Sequence, residues 1–109
     1  MAYNEDIADR IRALLETEIG FSERKMFGGI AFMLHGNMCC GVVESDLMLR
    51  LGPDGADLAL EHPHVRPMDF TGRPISSMVF VAHEGLQGVL LDDWVEKAAA
   101  FARALPPKR

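Results

Sequence analysis

The segment R-P-M-D-F-T-G-R-P at residues 66–74 is the sequence's main candidate for ligand chemistry. Arg66 and Arg73 flank a predicted turn that also contains Asp69 and Thr71. Two guanidinium groups at a turn can receive a carboxylate or a phosphate in bidentate fashion. Further positive charge would come from three residues on neighbouring predicted strands, Arg24, Lys25 and Arg50. Alternatively, Asp69 pairs with Arg73 and only stabilises the turn. The segment therefore predicts either an anion-binding site or a stabilised turn.

The second candidate site combines two cysteines with four histidines, which together offer enough donors for a metal ion. Cys39 and Cys40 are adjacent, whereas His62 and His64 would place two imidazoles on one side of an extended segment. Because no C-x-x-C pair and no H-x-x-x-H accompanies them, buried thiols and surface histidines explain Cys39, His62 and His64 more simply. Adjacent cysteines on a strand also point to opposite faces, which disfavours a redox pair. We therefore expect no metal and no cofactor.

The sequence offers no constellation of residues for catalysis. None of its serines lies in a G-x-S-x-G elbow, and Gly28-Gly29 matches no phosphate-loop pattern. Asp92 and Asp93 form a pair of carboxylates, but they stand where the first turn of a helix favours acidic residues. We therefore expect that the protein is not an enzyme.

Length and charge exclude several classes of protein. With 109 residues the chain is expected to form a single domain over residues 1–109. The net charge of −5 argues against direct nucleic-acid binding, which needs a concentrated excess of Lys and Arg. No apolar run reaches the ~20 residues of a membrane span, and the first residues do not resemble a secretion signal. Since adjacent cysteines cannot close a loop, we expect a reducing, cytoplasmic location and no contact with membranes.

Helical periodicity appears near both ends of the chain. Apolar residues recur at helical spacing over residues 4–19, and Asn4 is predicted to cap this helix. A second stripe, formed by Trp94, Ala98, Phe101 and Leu105, predicts a helix that Asp92 would cap. Between them, residues 56–62 predict one or two helical turns after the breaker cluster G-P-D-G at 52–55. The chain therefore has a helix at each end and a short one in the middle.

Segments of strand length, most of them apolar, predict strands over residues 23–27, 30–34, 38–43, 65–70 and 75–82. Residues 47–51 follow a turn and show only partial alternation of apolar and polar residues. Gly36-Asn37 is predicted to supply the positive φ of a tight hairpin turn, and Pro67 confines its segment to a sheet edge or to the entrance of a strand. The central segments are apolar at both odd and even positions, so they present apolar side chains to both faces of the sheet, and both faces should be covered. A symmetric partner chain would provide that cover, and so would three helices divided between the two faces.

We interpret the order of elements as helix, three strands, short helix, two strands and helix. This order predicts an α+β fold in which helices pack against an antiparallel five-stranded sheet. The motifs that could carry chemistry would then lie on strands and their turns, and not at the ends of a parallel sheet.

Five blocks of the sequence resemble, in the right order, the N-terminal domain of the TfoX/Sxy competence regulators. The blocks are R-K-M-F-G-G-I-A-F (24–32), G-N-M-C-C-G-V (36–42), L-M-L-R-L-G-P-D (47–54), H-V-R-P-M-D-F-T-G-R-P (64–74) and W-V-E-K-A-A-A-F-A-R-A-L-P-P-K (94–108). The resemblance implies a small α+β domain, found alone in many bacteria, with a fold similar to that of secretion chaperones, which commonly dimerise. It supplies no catalytic residue.

These observations predict a non-catalytic, regulatory protein-interaction domain that forms a homodimer and binds an unidentified protein partner. The competence regulators carry a second domain, and we expect this chain to lack it because the sequence stops soon after the last predicted helix. A role linked to DNA uptake and transcription is therefore not expected to carry over unchanged. The alternative is a small-molecule or anion-binding protein, or an enzyme, that uses the arginine cluster.

Overall fold

The fold is known from a computed structural model, which describes residues 3–26, 28–69 and 74–107. The elements in chain order are α1 (Glu5–Leu15), β1 (Phe21–Met26), β2 (Gly29–Leu34), β3 (Asn37–Val43), β4 (Asp46–Arg50), α2 (Gly52–Ala59), β5 (Val65–Asp69), β6 (Pro74–Val81), a 3₁₀ turn (His83–Leu86) and α3 (Val89–Ala104). The strands form one antiparallel sheet in the order β1-β2-β3-β4-β6-β5. The α+β fold is thus confirmed, with six strands where five were predicted.

Helix α1 begins where the sequence predicts and ends earlier. The Asn4 side chain accepts hydrogen bonds from the backbone N–H groups of Asp6 and Ile7, at 3.0 and 3.2 Å. The predicted end at Ile19 is wrong, because the helix stops at Leu15. Leu15 is the last residue of the apolar stripe that is buried, whereas Ile19 is 82% exposed and has no core to pack against. Burial of the stripe, and not helical propensity alone, therefore fixes the length of α1.

The central hairpin confirms the predicted strands but moves their turn by one residue. Positive φ occurs at His35 (52°) and Gly36 (79°), so the predicted pair Gly36-Asn37 is wrong. Asn37 is instead the first residue of β3, where its buried amide donates a hydrogen bond to the Pro106 carbonyl at 2.8 Å. A tight turn at His35-Gly36 keeps the right-handed twist of the two strands.

Two glycines near predicted helix starts also behave differently from the prediction. Gly52 and Pro53 do not break the chain but form the first turn of α2, where a proline needs no N–H partner.

The prediction that Asp92 caps α3 is wrong, because α3 begins at Val89 after Gly88, whose φ is 56°. Asp92 instead lies 3.9 Å from the Arg10 guanidinium of α1. The pair helps to hold α1 against the start of α3.

The last two strands form the predicted hairpin at one edge of the sheet. Strand β5 is the edge strand and pairs only with β6 among the described strands, as Pro67 requires. The predicted turn at residues 71–73 lies outside the described residues. None of the described helices is both long enough and apolar enough to cross a membrane.

The sheet has two different apolar faces. The buried side chains of all three helices belong to one cluster, here called the helix-side core, together with strand residues such as Phe32, Leu49 and Val79. The opposite cluster, here called the methionine face, consists only of strand residues: Ala31, Met33, Met48, Met68, Met78 and Phe80, with Met26, Met38 and Val43 at its margin. The hypothesis that the helices divide between the two faces is therefore wrong for the described residues.

Candidate functional site

A groove runs between helix α3 and the segment that connects α2 to β5. It consists of two adjoining cavities of about 300 and 200 Å³, and both are lined by His62, Trp94 and Lys97. Helix α2 ends at Ala59, so its predicted end at His62 is wrong, and the connecting segment that contains His62 and Pro63 leads to β5 alongside α3. We call these three shared residues the waist of the groove.

Trp94 forms the floor of the waist. Its indole is 8% exposed and belongs to the helix-side core. The His62 imidazole meets the indole edge-on, with ring centroids 5.1 Å apart and planes at 80°. The Lys97 ammonium lies 5.9 Å from the centre of the same ring. The waist thus has an aromatic floor with two basic groups beside it.

Apolar residues line the groove on both sides of the waist. On one side lies Leu58 of α2, which is 66% exposed. On the other side lie Leu90, which is 47% exposed, and the less exposed Val65 and Val81. Large aliphatic side chains exposed beside a cavity are typical of surfaces that bind another molecule. The groove therefore offers two apolar subsites separated by a basic waist.

A glycine makes the second apolar subsite possible. A Cβ atom on Gly85 would lie 2.7 Å from the Cβ of His64 and 3.0 Å from a methyl carbon of Val81. Because real Cβ atoms are essentially never so close to a neighbour, only glycine allows the 3₁₀ turn to pack against this wall of the groove.

The charges of the groove are incompletely paired. Asp93 lines the Leu90 side, but within the described residues no carboxylate lies within 4 Å of the Lys97 ammonium. By contrast, four arginines of the described chain each pair with one or two carboxylates: Arg10, Arg12, Arg66 and Arg103. Lys97 is therefore available to an acidic group from outside.

The structure does not gather the predicted arginine cluster into one site. Arg66 on β5 pairs with Asp46 at 2.6 Å and lies over the Phe80 ring at 4.8 Å. Arg24 and Lys25 lie on β1, at the opposite edge of the sheet. Arg50 on β4 lies 5.8 Å from the Phe101 ring. Asp69 ends β5, and Arg73 lies outside the described residues.

The predicted metal candidates are also separated. His62 and His64 line the groove, whereas Cys39 is fully buried in the helix-side core. Among the residues that the structure describes, no three His, Cys, Asp or Glu side chains are grouped to hold a metal ion. The two histidines therefore belong to the wall of the groove, and the cysteine belongs to the core.

A β-bulge changes the expected orientation of the cysteines. Phe32 pairs with Cys40 and Met33 with Met38, which leaves Cys39 as the extra residue of β3. The prediction that the two thiols face apart is wrong, since both are fully buried in the helix-side core. A hydrogen bond with Cys39, together with burial, raises the pKa of the Cys40 thiol well above its usual value. A thiol in that state is a poor nucleophile.

Sequence reasoning missed the groove residues Leu58, Leu90 and Lys97. Helical spacing correctly predicts that Trp94 belongs to the apolar stripe of α3. The same spacing does not indicate that one side of the Trp94 ring borders a cavity. The only local signal is an aliphatic residue on the polar side of a helix, as Leu58 is on α2. The groove itself forms between residues 58–65 and residues 90–97, which are distant in sequence.

The family model for the TfoX N-terminal domain matches residues 13–102 of the chain. The match spans every strand and both α2 and most of α3, together with the groove. A search of curated proteins and a search of solved structures each gave no match.

Proposed function

Since the chain belongs to the TfoX N-terminal domain family, we propose that it is a non-catalytic interaction domain that regulates a protein partner. The partner binds through the groove between α2 and α3. The observation that carries this proposal is the combination of the cavity with exposed Leu58 and Leu90 on either side of Trp94. Aromatic residues flanked by aliphatic ones are typical of the centre of a protein interface.

A non-catalytic role is supported by the state of the groups that could act as nucleophiles. Cys40 is fully buried and its thiol pKa is raised by Cys39 and by burial, so the reactive thiolate is disfavoured. The alternative, anion binding by the arginine cluster, gains no support from Arg66, whose guanidinium already pairs with Asp46. The groove remains the better candidate for a functional surface.

A photo-crosslinking experiment tests the proposed surface. A benzoylphenylalanine replaces Leu58 or Leu90 in the groove, or Ile19 as the control, and the protein is irradiated in its native cells. Ile19 is a matched control because it is also aliphatic and is 82% exposed outside the groove. We expect one protein adduct shared by positions 58 and 90 and absent from position 19. Equal adducts at all three positions, or none at the groove positions, would contradict the proposal.

We also propose that two copies of the chain associate through the margin of the methionine face. Among the described residues this face contains no helical residue, and its centre is already buried within one chain. Met26, Met38 and Val43, which are only partly buried at its margin, are the residues that a second copy would cover. Unbranched, polarisable methionine side chains adapt readily to a partner's shape. A closed dimer with two-fold symmetry would bury the same patch of both copies.

The oligomeric state tests this second proposal. We expect sedimentation equilibrium to show a dimer that Met38→Lys converts to a monomer, because a charge would be buried at the interface. Leu14→Lys is the control, since Leu14 lies on α1 and is 38% exposed. A monomeric wild-type protein, or equal dissociation of both variants, would show that the methionine face is not the interface.

A further inference from the structure

We infer that the segment bound in the groove carries an acidic residue between two apolar residues. The inference rests on the proposed function, because it names the chemistry of the partner at the same site. It follows from the order of the subsites along the groove: Leu58, then the waist, then Leu90.

The two apolar subsites require two apolar side chains from the partner. The cavity beside Leu58 and the cavity beside Leu90 are separate, and they meet only at His62, Trp94 and Lys97. A single side chain therefore cannot fill both cavities, whereas two side chains of one segment can. Their burial against exposed aliphatic residues would drive the association.

The waist selects the residue between them. The Lys97 ammonium has no carboxylate within 4 Å among the described residues: Asp93, one helical turn before it, is not that close, and Glu96, its neighbour in sequence, is paired with Arg103 at 2.9 Å. The His62 imidazole faces the same part of the groove and donates no hydrogen bond to a described residue. A carboxylate placed at the waist would interact with both the Lys97 ammonium and the His62 imidazole.

The remaining charge of the groove fixes the position of that carboxylate. Asp93 lines only the cavity on the Leu90 side, so an acidic group there would meet a like charge. The Leu58 side carries no acidic residue in its lining but is apolar. The waist is therefore the favoured place for an acidic residue, and the two ends favour apolar ones.

Nucleic acid and phosphate fit the groove less well than a carboxylate. The waist has a single ammonium and no arginine that could bind phosphate oxygens in bidentate fashion. The net charge of −5 also opposes a polyanion that must release many counterions to bind. A peptide segment with one acidic residue satisfies the charge and both apolar subsites.

An array of synthetic nine-residue peptides tests the inference. Each peptide has two leucines separated by two to four residues, and the central residue is Glu, Gln or Lys. The probes are the full chain, the variant Lys97→Glu and the control Lys25→Glu. Lys25 lies exposed on β1, so both substitutions change the net charge equally but only one changes the groove. Binding is confirmed in solution by the fluorescence of Trp94, the chain's single tryptophan.

We expect the wild-type protein to bind the Glu peptides about tenfold more tightly than the Lys peptides, because attraction at the waist is replaced by repulsion. Lys97→Glu should reverse this order, and Lys25→Glu should leave it unchanged. Leucine peptides bound without a charge preference, or a preference shifted equally by both variants, would overturn the inference but leave the proposed groove standing. If no peptide changes the Trp94 fluorescence, the inference also fails, and the crosslinks at positions 58 and 90 decide separately whether the groove binds a partner. Lys97→Gln, which only removes the charge, guards against misfolding of the charge-reversed variant.

Discussion

The two faces of one sheet differ in the shape of their side chains. On β2, Phe32 points into the helix-side core, whereas its neighbour Met33 belongs to the methionine face. The helix-side core is built mainly from branched aliphatic residues and alanines, together with Phe32 and Trp94, and it packs under three helices. The methionine face holds six of the chain's seven methionines and, among the described residues, only strand residues.

This difference separates the residues that determine the fold from those that can adapt to a partner. Branched and aromatic side chains have few rotamers and fit only one arrangement of helices on the sheet. Methionine has three rotatable bonds and fills irregular space with little preference for one shape. We therefore expect substitutions on the two faces to have unequal effects on stability, and the following predictions test that expectation.

The largest difference should appear in the reactivity of sulfur on the two faces. Both thiols are fully buried in the helix-side core, and the pKa of Cys40 is raised, so a disulfide reagent must wait for the core to open. We expect the disulfide reagent to label the two thiols of the native protein at pH 8 at a rate at least about 10³-fold lower than it labels them in urea. Met26 is only partly buried in one chain, so it should be oxidised by peroxide in the native, monomeric Met38→Lys variant. Rapid native labelling of either thiol would remove the distinction between the faces.

A truncation in the helix-side core should have the next largest effect. Phe32 on β2 is fully buried and pairs with Cys40 on β3, next to the bulge at Cys39. Phe32→Ala would therefore leave a cavity between the sheet and its helices. We expect the free energy of unfolding to fall by about 3–5 kcal/mol, measured by urea denaturation. A loss below about 1 kcal/mol would show that the helices can collapse onto the sheet and that this face is also adaptable.

A change of shape on the methionine face should cost less. Met48 is fully buried there, and Met48→Leu keeps the volume nearly constant. We expect the free energy of unfolding to change by less than about 1.5 kcal/mol. The dimer affinity, measured by sedimentation, should not change, because Met48 is already fully buried within one chain. A larger loss of stability would argue that the methionine face is a second rigid core.

The smallest effect should come from an ion pair at the edge of the helix side. The Arg12 guanidinium donates hydrogen bonds to both carboxylate oxygens of Glu23, at 2.5 and 2.8 Å, and joins α1 to β1. Because side chains of both residues are about one third exposed, we expect a coupling of only about 0.2–1 kcal/mol in a double-mutant cycle.

The pH dependence of that coupling has a definite sign. The hydrogen bond from Arg12 lowers the pKa of Glu23 below its ordinary value of 4.5. A lowered carboxyl pKa adds stability above pH 4.5 that is lost as the pH falls through the lower, folded-state pKa. The effect of Arg12→Gln on the urea midpoint should therefore be smaller at pH 3 than at pH 7. An equal effect at both pH values would mean that Arg12 acts through packing on the helix side and not through charge.

Local patterns in the sequence predicted the elements well. The Asn4 cap depends on contacts with residues two and three positions away, and the edge position of β5 follows from the missing N–H of Pro67. Both features are determined within a few residues. The α+β class follows from the order of such segments, and the family resemblance agrees with it.

Features that depend on pairing between distant residues could not be predicted in this way. The bulge at Cys39 depends on how β3 pairs with β2. It turns the Cys39 thiol into the helix-side core, whereas regular strand alternation would place that thiol on the methionine face. The groove depends on how α2 and α3 approach each other, so its basic waist at Lys97 has no local signature. The arginines appeared related because their strands were assumed to be neighbours, whereas Arg24 and Arg66 lie on opposite edges.

The amide of Asn37 has a practical consequence for attaching this protein to a label or a surface. Its hydrogen bond to the Pro106 carbonyl fastens the chain after α3 to the start of β3, next to the hairpin turn. The sixteen residues of α3 span about 24 Å, and the groove lies along the first half of the helix. A tag, a fluorophore or a fused protein joined to the chain after Pro107 would therefore leave from the far end of α3. Such an attachment keeps the groove open, and a pulling force applied there would first load the Asn37 anchor rather than the walls of the groove.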